Sequence, residues 1–281
     1  MRRRQRKRLK RPGRPKRRRR KNNLFLHRRV YSTKSLKGLV LCGGPGKRLR
    51  PITYYFQKAM IPIGPKQKPL LEYIVRLLRF HGISDLIFLV DYKAEQIINY
   101  FNEGSRFNVR ISYIYDDPNL KGTAGSILNA YKRNAMSKED TLLVYYGDIL
   151  TNINLRGLIQ YHQEKKADAT VALSTGFTVR VGLAELEDDG KILGFVEKPK
   201  VEKPVSVGIA ALSGDTLGTI ENLKGKIGDL DLMGDVIPYL LKNGKRVYGY
   251  VSDAFWYDVG SVEAYEKLDY ETVEKMFSYL Y

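Results

Sequence analysis

The 281-residue sequence contains a single cysteine, Cys42, and only three histidines, His27, His81 and His162, which lie far apart along the chain. One cysteine excludes a disulfide framework and a zinc site built from clustered cysteines. Three dispersed histidines argue against a histidine-based metal centre. No apolar run approaches the length of a membrane-spanning helix, and the N-terminus lacks the apolar core of a secretory signal. We therefore expect a cytoplasmic protein without a membrane partner.

Positive charge is abundant but unevenly distributed. The formal net charge is +19, yet residues 1–34 hold 18 lysines and arginines and no acidic residue, so the remainder carries 31 positive charges against 30 negative ones. Such a low-complexity basic segment cannot bury enough apolar surface to fold, and we predict a disordered tail over residues 1–34. Three interpretations stay open: an arm that binds nucleic-acid phosphates, an organellar targeting peptide, or a segment absent from a mature protein that starts at Val30 or Leu36.

Short apolar runs alternate with amphipathic helical patterns in the first half of the remaining chain. The strands are predicted at 37–42, 86–90, 109–114 and 142–146, and the helices at 70–80, 94–101 and 123–131. This alternation is typical of βαβ units and predicts a Rossmann-like α/β fold, with a mostly parallel sheet flanked by helices. Ligands of such sheets bind at the carboxyl ends of the strands, where Gly43, Gly44 and Asp148 stand.

The second half has a different pattern. Four strands separated by turns are predicted at 169–174, 182–186, 191–196 and 205–212. They suggest an antiparallel flap added to the parallel sheet. Helical patterns at 230–241 and 262–280 flank a strand at 246–251. We expect one domain over residues 35–281, with no C-terminal β-helix domain.

The loop after the first strand is rich in glycine and cations. Residues 43–58, GGPGKRLRPITYYFQK, match neither the Walker A pattern nor the dinucleotide fingerprint, because Leu41, Arg48 and Leu49 stand where those patterns need other residues. Three glycines with exposed amides and several nearby cations suit a polyphosphate ligand. A tight turn with solvated basic residues would have the same sequence, and composition alone leaves both interpretations open.

The order of six motifs resolves this ambiguity. Segment 43–53 (GGPGKRLRPIT) resembles the N-terminal signature of the sugar-nucleotide pyrophosphorylases, which are sugar-1-phosphate nucleotidyltransferases. The motifs that follow are similar to later signatures of that family: KAMIPI at 58–63, GTAG at 122–125, YGD at 146–148, FVEKP at 195–199 and WYDVG at 256–260. Each motif alone is weak evidence, whereas six in this order across residues 37–265 are specific.

The resemblance implies transfer of a nucleotidyl group from an NTP to a sugar 1-phosphate, with release of pyrophosphate. It further implies that the flap binds the sugar and that Mg²⁺ is held by Asp148 and Asp258, since hard oxygen ligands suit this ion. Arg48, Lys58 and Asp148 would be catalytic. The other implied contacts are Gly43, Gly44, Gly46, Lys47, Gly122 and Thr123 for the nucleotide, and Gly182, Glu197, Lys198 and Ser206 for the sugar phosphate.

Several positions depart from the family pattern. Lys47 replaces a threonine, Ala59 replaces a proline, and Ser206 stands where a sugar-contacting asparagine is expected. In the following helix Met233 occupies an expected glutamate position, with Asp235 two residues further on. The catalytic cations and both carboxylates are retained, so activity is expected, but the identity of the sugar stays open.

Three functions remain to be compared. The wording of the motifs is closest to the mannose-1-phosphate guanylyltransferases, which favours GTP and mannose 1-phosphate. Glucose-1-phosphate uridylyl- or thymidylyltransferase is the alternative. A catalytically silent regulatory subunit, or an RNA-associated factor acting through the basic tail, would belong to another class. A homo-oligomer is compatible with the resemblance.

Overall fold

The computed structural model describes residues 35–179 and 181–281. The predicted basic tail, residues 1–34, lies outside the described residues. The strands of the described part are β1 Leu36–Leu41, β2 Pro62–Ile63, β3 Lys68–Pro69, β4 Asp85–Val90, β5 Arg110–Tyr115, β6 Thr141–Tyr146, β7 Ile149–Thr151, β8 Ala169–Ser174, β9 Leu183–Leu186, β10 Ile192–Val196, β11 Val205–Ser213, β12 Val247–Ser252 and β13 Trp256–Asp258.

Helices cover both faces of the main sheet. They are α1 Leu70–Phe80, α2 Ala94–Phe101, α3 Thr123–Lys132, α4 Leu155–Glu164, α5 Thr216–Lys224, α6 Ile237–Lys242, α7 Val262–Glu266 and α8 Tyr270–Phe277. No helix of the described residues is both long and apolar enough to cross a bilayer.

The main sheet has seven strands in the order β12-β8-β11-β6-β1-β4-β5. β6, β1, β4 and β5 run parallel to one another, and β12 runs parallel to β8. Only β11 is antiparallel, both to β6 and to β8. The expected α/β fold with a mostly parallel sheet is therefore confirmed.

Both faces of the central strands are buried, which explains why β1, β4 and β6 are nearly continuous apolar runs. Successive residues of β1 show the arrangement, because Leu39 and Val40 are both fully buried but belong to different core clusters. The cluster around Val40 includes residues of α1, α2, α4 and α8. The cluster around Leu39 includes residues of α3, α5 and α6.

The antiparallel flap is smaller than predicted. β8 and β11 belong to the main sheet, and only β9 and β10 form a separate antiparallel hairpin. The apolar side chains of this hairpin are exposed, for example Leu186 at 58% and Phe195 at 61%. These side chains stay exposed because no other element of the described residues packs over the hairpin.

Two helices predicted near the end of the chain differ from the structure. The segment 262–280 is not one helix, because Asp269 accepts hydrogen bonds from the amides of Glu271 and Thr272 and so begins a new helix, α8. The segment 230–241 begins its helical turn later than predicted. Asp231 caps a π-helical turn, Leu232–Val236, which continues into α6.

A buried carboxylate, Glu72, ties α1 to its surroundings. Its side chain is 4% exposed, and it forms ion pairs with Lys68 and Arg76 and accepts a hydrogen bond from the Tyr100 hydroxyl. Burial alone would raise the pKa of Glu72, but the hydrogen bonds from Tyr100, Arg76 and Lys68 outweigh it and hold the pKa below its usual value. The ring of Tyr281 lies over the same two cations, 3.5 Å from the Lys68 ammonium and 4.3 Å from the Arg76 guanidinium carbon.

We expect Glu72→Gln to reduce the free energy of unfolding by about 2 kcal/mol at pH 7, because hydrogen bonds to a charged group are lost. A carboxyl with a lowered folded-state pKa stabilises the protein above its unfolded-state pKa, and this contribution disappears as the pH falls through the folded-state pKa. The difference between variant and wild type should therefore shrink in acid. Urea denaturation from pH 3 to 8 measures it. Glu221→Gln, at an exposed carboxylate of α5, is the control, and a pH-independent difference for Glu72→Gln would contradict the prediction.

Candidate active site

The carboxyl ends of four neighbouring parallel strands open into one cavity of about 550 Å³. β1 leads into Gly43, β4 into Asp91, β5 into Asp116 and β6 into Gly147 and Asp148, and all of these residues line the cavity. The strand order β6-β1-β4-β5 separates the backbones at Asp148 and Asp116 by three strand spacings, roughly 14 Å. We call this space the first cavity.

A second cavity, of about 740 Å³, lies beside the pair formed by β7 and β13. Trp256 and Phe177 stack in its wall, with ring centroids 5.9 Å apart and planes 23° from parallel. Three predicted site residues, Arg48, Ser206 and Asp258, line it as well. The Ser206 hydroxyl approaches the sulfur of Met233 at 3.9 Å.

The backbone pairing of β7 with β13 links the walls of the two cavities at two carboxylates. β7 and β13 pair antiparallel with Asp258 opposite Ile149, and the amide of Val259 donates to the carbonyl of Asp148 at 2.9 Å. This ladder places Asp148, in the wall of the first cavity, next to Asp258, in the wall of the second. The ladder joins segments more than 100 residues apart in sequence.

Each carboxylate lies beside a cation. The Lys58 ammonium forms an ion pair with Oδ2 of Asp148, and the two side chains are only 20% and 16% exposed. The guanidinium of Arg48 and the carboxylate of Asp258 both crowd Gly260: a Cβ there would lie 2.9 Å from Nη2 of Arg48 and 2.5 Å from Oδ1 of Asp258. The β7–β13 ladder brings these two pairs onto adjacent backbone segments. We call Arg48, Lys58, Asp148 and Asp258 the charge cluster.

This cluster fits a magnesium ion in its donor chemistry. Mg²⁺ takes oxygen ligands and commonly binds one or two protein carboxylates, with waters and phosphate oxygens completing the shell. Asp148 and Asp258 supply two such carboxylates on adjacent backbone segments. No group of three or more histidine, cysteine or acidic residues suited to a metal ion occurs in residues 35–179 and 181–281, so an ion here would depend on substrate oxygens.

The glycine loop lies against Lys58 and Asp116. Gly46 has a left-handed backbone, with φ 60°, and a Cβ there would come 3.2 Å from the Lys58 Cβ. A Cβ at Gly43 would come 2.3 Å from Oδ2 of Asp116. Gly43 and Gly44 line the first cavity, and Gly46 packs behind it. Lys47 is exposed and begins a short 3-10 turn, Lys47–Leu49.

The predicted nucleotide contacts Gly122 and Thr123 also line the first cavity. The hydroxyl of Thr123 donates to the Asp231 carboxylate at 2.7 Å and accepts from the amide of Leu232 at 2.7 Å. The amide of Ala124 donates to the carbonyl of Leu230 at 3.0 Å. The protein itself therefore satisfies these groups at the start of α3, and the turn contributes shape to the cavity wall.

The predicted sugar-phosphate residues on the flap, Gly182, Glu197 and Lys198, lie outside both cavities. Glu197 and Lys198 follow β10, are about 60% exposed, and face each other at 3.8 Å. A Cβ at Gly182 would meet the ring of Phe195 at 2.3 Å. None of these three residues is among the described residues that line the two cavities. Their role as sugar-phosphate contacts stays a prediction.

Asp116 is a candidate functional residue that the motif comparison missed. Oδ1 of Asp116 is buried without a hydrogen-bond partner in the described part of the chain. Burial raises the pKa of Asp116, the nearby Asp91 raises it further, and a hydrogen bond with Ser126 opposes the change. Its position directly after a predicted parallel strand was the available signal, whereas no pattern in the sequence marked Phe177.

A mostly parallel α/β sheet with a charged cleft at the carboxyl ends of its strands is typical of nucleotide-binding proteins. Within that class the family is clear, because the nucleotidyl transferase family model matches residues 37–275. The chain belongs to this family. The predicted membership of the sugar-nucleotide pyrophosphorylases is thereby confirmed.

Named relatives differ in their substrates. The chain is 35% identical over 82% of its length to UTP--glucose-1-phosphate uridylyltransferase from Synechocystis, and 28% identical over 83% of its length to mannose-1-phosphate guanylyltransferase from Mycobacterium tuberculosis. It spans 61% and 63% of these two relatives. The structure of HddC from Yersinia pseudotuberculosis, complexed with GMP-PN, superposes with a TM-score of 0.63 at 24% identity, over 84% of this chain and 99% of that one, which supports the fold.

Gly122 gives the sharpest structural test of the first cavity. Its backbone, at φ 86° and ψ 165°, lies in a region that only glycine readily adopts, and a Cβ would come 2.3 Å from the carbonyl oxygen of Leu230. We expect Gly122→Ala to reduce the free energy of unfolding by about 2 kcal/mol. Urea denaturation measures the change. Gly228→Ala, where a Cβ meets nothing within 4 Å, is the matched control. Equal stabilities of the two variants would contradict the requirement for glycine at position 122.

Proposed function

We propose that the chain transfers a nucleotidyl group from an NTP to a sugar 1-phosphate and releases pyrophosphate. The observation that carries this proposal is the meeting of two cavities at Asp148 and Asp258, with Lys58 and Arg48 beside them. The first cavity has the glycine loop and a lysine for the triphosphate. The second has an arginine and an aromatic wall for the sugar phosphate.

The chemistry joins two anions, so positioning and charge neutralisation dominate the barrier. An oxygen of the sugar phosphate attacks the α-phosphorus of the NTP in line, and the bond to the pyrophosphate oxygen breaks. Lys58 and Arg48 offset the repulsion between the two phosphates, and orienting the reactants in adjoining cavities can lower such a barrier by about 7–11 kcal/mol. A Mg²⁺ ion held by Asp148 and Asp258 would neutralise further phosphate charge.

No covalent protein intermediate is required. Cys42 lies beside the first cavity but is a poor nucleophile, because burial and the nearby Asp116 raise the pKa of its thiol. The thiol donates to the carbonyl of Val40 at 3.5 Å instead. Direct displacement between the two substrates is therefore the simplest mechanism for this cleft.

We propose GTP and mannose 1-phosphate as the first substrates to test. The wording of the motifs favours them, and one named relative is a mannose-1-phosphate guanylyltransferase. Asp116, in the wall of the first cavity, supports guanine, because a carboxyl oxygen accepts hydrogen bonds and the pairing edge of guanine presents two donors where uracil presents one. UTP or dTTP with glucose 1-phosphate is the alternative, which the uridylyltransferase relative supports.

A catalytically silent subunit is the alternative of another class. It would bind a nucleotide or a partner without turnover, as would an RNA-associated factor acting through residues 1–34. The joint presence of Arg48, Lys58, Asp148 and Asp258 around the two cavities favours catalysis. Loss of one of these four groups would be expected in a silent relative.

A substrate matrix tests the proposed function. GTP, UTP, dTTP and ATP are each combined with the 1-phosphates of mannose, glucose, galactose and N-acetylglucosamine, and pyrophosphate release is measured with Mg²⁺ present. We expect turnover with at least one pair, and a fall of about 100-fold or more in kcat for Asp148→Asn and for Asp258→Asn, because both remove a carboxylate from the cluster.

Asp168→Asn serves as the matched control, since this carboxylate pairs with Arg246 at the far end of β8. It should retain the turnover of the wild type. Release of pyrophosphate by no pair would favour the silent subunit, and wild-type rates in Asp148→Asn or Asp258→Asn would refute the proposed role of the two carboxylates.

Base selection has its own test at Asp116. We expect Asp116→Asn to lower the ratio of kcat/KM for GTP to that for UTP by about 10-fold, since replacing one acceptor oxygen by a donor disrupts paired hydrogen bonds worth about 1–3 kcal/mol. Asp117→Asn is the control, because Asp117 lines the same cavity but accepts from the amide of Asn119. An unchanged ratio in Asp116→Asn, or an equal fall in Asp117→Asn, would exclude selection of guanine by Asp116.

A further inference from the structure

Lys58 is held in place by the chain around it. It opens a 3-10 turn, Lys58–Met60, capped by Gln57, whose side-chain oxygen accepts from the amide of Ala59 at 2.6 Å. The side-chain amide of Gln57 donates to the carbonyl of Cys42, and its backbone amide donates to Gln96 at 2.7 Å. These bonds fix the backbone at Lys58, whose ammonium contacts Asp148.

That ammonium lies on the carboxylate that a metal ion would need. The Lys58–Asp148 pair joins residues 90 positions apart, and both side chains line the first cavity. With 20% and 16% exposure the pair is largely shielded from solvent, so its attraction is stronger than that of a surface pair. A divalent cation and the lysine ammonium cannot both occupy Oδ2 of Asp148 without repelling each other.

We propose that Lys58 keeps Asp148 closed to a divalent cation until a phosphate group draws its ammonium away. The inference rests on the proposed function and adds a binding order to it: the metal ion and the nucleotide enter together, and free Mg²⁺ binds the empty protein weakly. Arg48 beside Asp258 acts in the same direction, because that carboxylate too has a cation next to it. Lys58 thus controls access of the metal to Asp148 in addition to its predicted role as a phosphate ligand.

Thermodynamic linkage makes the proposal quantitative. If phosphate binding removes the lysine from Asp148, the nucleotide raises the affinity for the metal by a factor, and the metal raises the affinity for the nucleotide by the same factor. Couplings of this kind are commonly about 5- to 150-fold. Phosphate oxygens that ligate the metal directly add to the same factor, so coupling in the wild type alone does not identify the contribution of Lys58.

Removing the ammonium separates the two contributions. Mn²⁺ serves as the probe for Mg²⁺, and free Mn²⁺ is counted by electron paramagnetic resonance in titrations of the full chain without nucleotide. We expect Lys58→Met to bind Mn²⁺ at least about 5-fold more tightly than the wild type. The gain should disappear in the double variant Lys58→Met with Asp148→Asn. Lys58→Arg, which can keep the ion pair, should bind as weakly as the wild type.

Lys121→Met is the matched control for charge, because Lys121 lines the same cavity but is not paired with Asp148. Equal tightening in Lys121→Met and Lys58→Met would show a general charge effect and overturn the proposal. So would Mn²⁺ binding in Lys58→Met that is no tighter than in the wild type. Circular dichroism and thermal unfolding confirm that each variant is folded.

A second titration distinguishes failure of this inference from failure of the proposed function. The wild type is titrated with Mn²⁺ in the presence of a GTP analogue that carries an α,β-methylene bridge, and with a UTP analogue of the same design. Nucleotide-dependent Mn²⁺ binding without a gain in Lys58→Met would leave the proposed function standing and refute the role of Lys58. Absence of nucleotide-dependent Mn²⁺ binding with both analogues would refute the role of Lys58 and the proposed use of GTP or UTP.

Discussion

The backbone hydrogen bonds of β7 and β13 bring Asp148 and Asp258 onto adjacent segments, and carboxylates that approach each other repel unless cations compensate them. The surrounding chain is arranged to provide those cations. Lys58 is placed by the Gln57 cap and the packing of Gly46, and Arg48 lies against Gly260, where any larger residue would press on both charged groups. The glycine loop and the closing β13 segment thus serve one electrostatic arrangement.

This charge cluster stands where the two cavities meet, and its place follows from the strand order. Parallel strands β6, β1, β4 and β5 end on one edge, which creates the first cavity, and the antiparallel β11 with the β7–β13 pair creates the wall of the second. A nucleotide and a sugar phosphate bound in the two spaces would bring their phosphates to the same four charges. The family membership and the site geometry therefore point to the same chemistry, whereas the sugar and the base depend on side chains further out, such as Ser206 and Asp116.

Much of the first half could be predicted from local pattern. α1 and α2 have the predicted bounds, because an amphipathic period of 3.6 residues identifies a helix that packs on a sheet. The short pair β7 and β13 was not predicted, since three-residue strands carry too little pattern. The single helix expected at 262–280 was wrong because an apolar stripe continues across Asp269, whose side chain nevertheless caps a new helix. The motif order placed Arg48, Lys58, Asp148 and Asp258 near one site. The structure pairs Lys58 with Asp148 and places Arg48 and Asp258 against Gly260 on the adjacent segment, and the roles of the four residues stay predictions.

By itself the sequence determined the strand and helix alternation, the glycine loop, the family, and the near-neutral charge of residues beyond the basic tail. Tertiary structure alone decided which groups meet: Lys58 with Asp148 across 90 positions, Gly43 with Asp116, and Phe177 with Trp256. It also left Glu197 and Lys198 exposed on the hairpin, outside both cavities. The physical reason is that periodicity reports which face of an element is buried, whereas pairing between distant segments depends on the whole packed sheet and leaves no local trace.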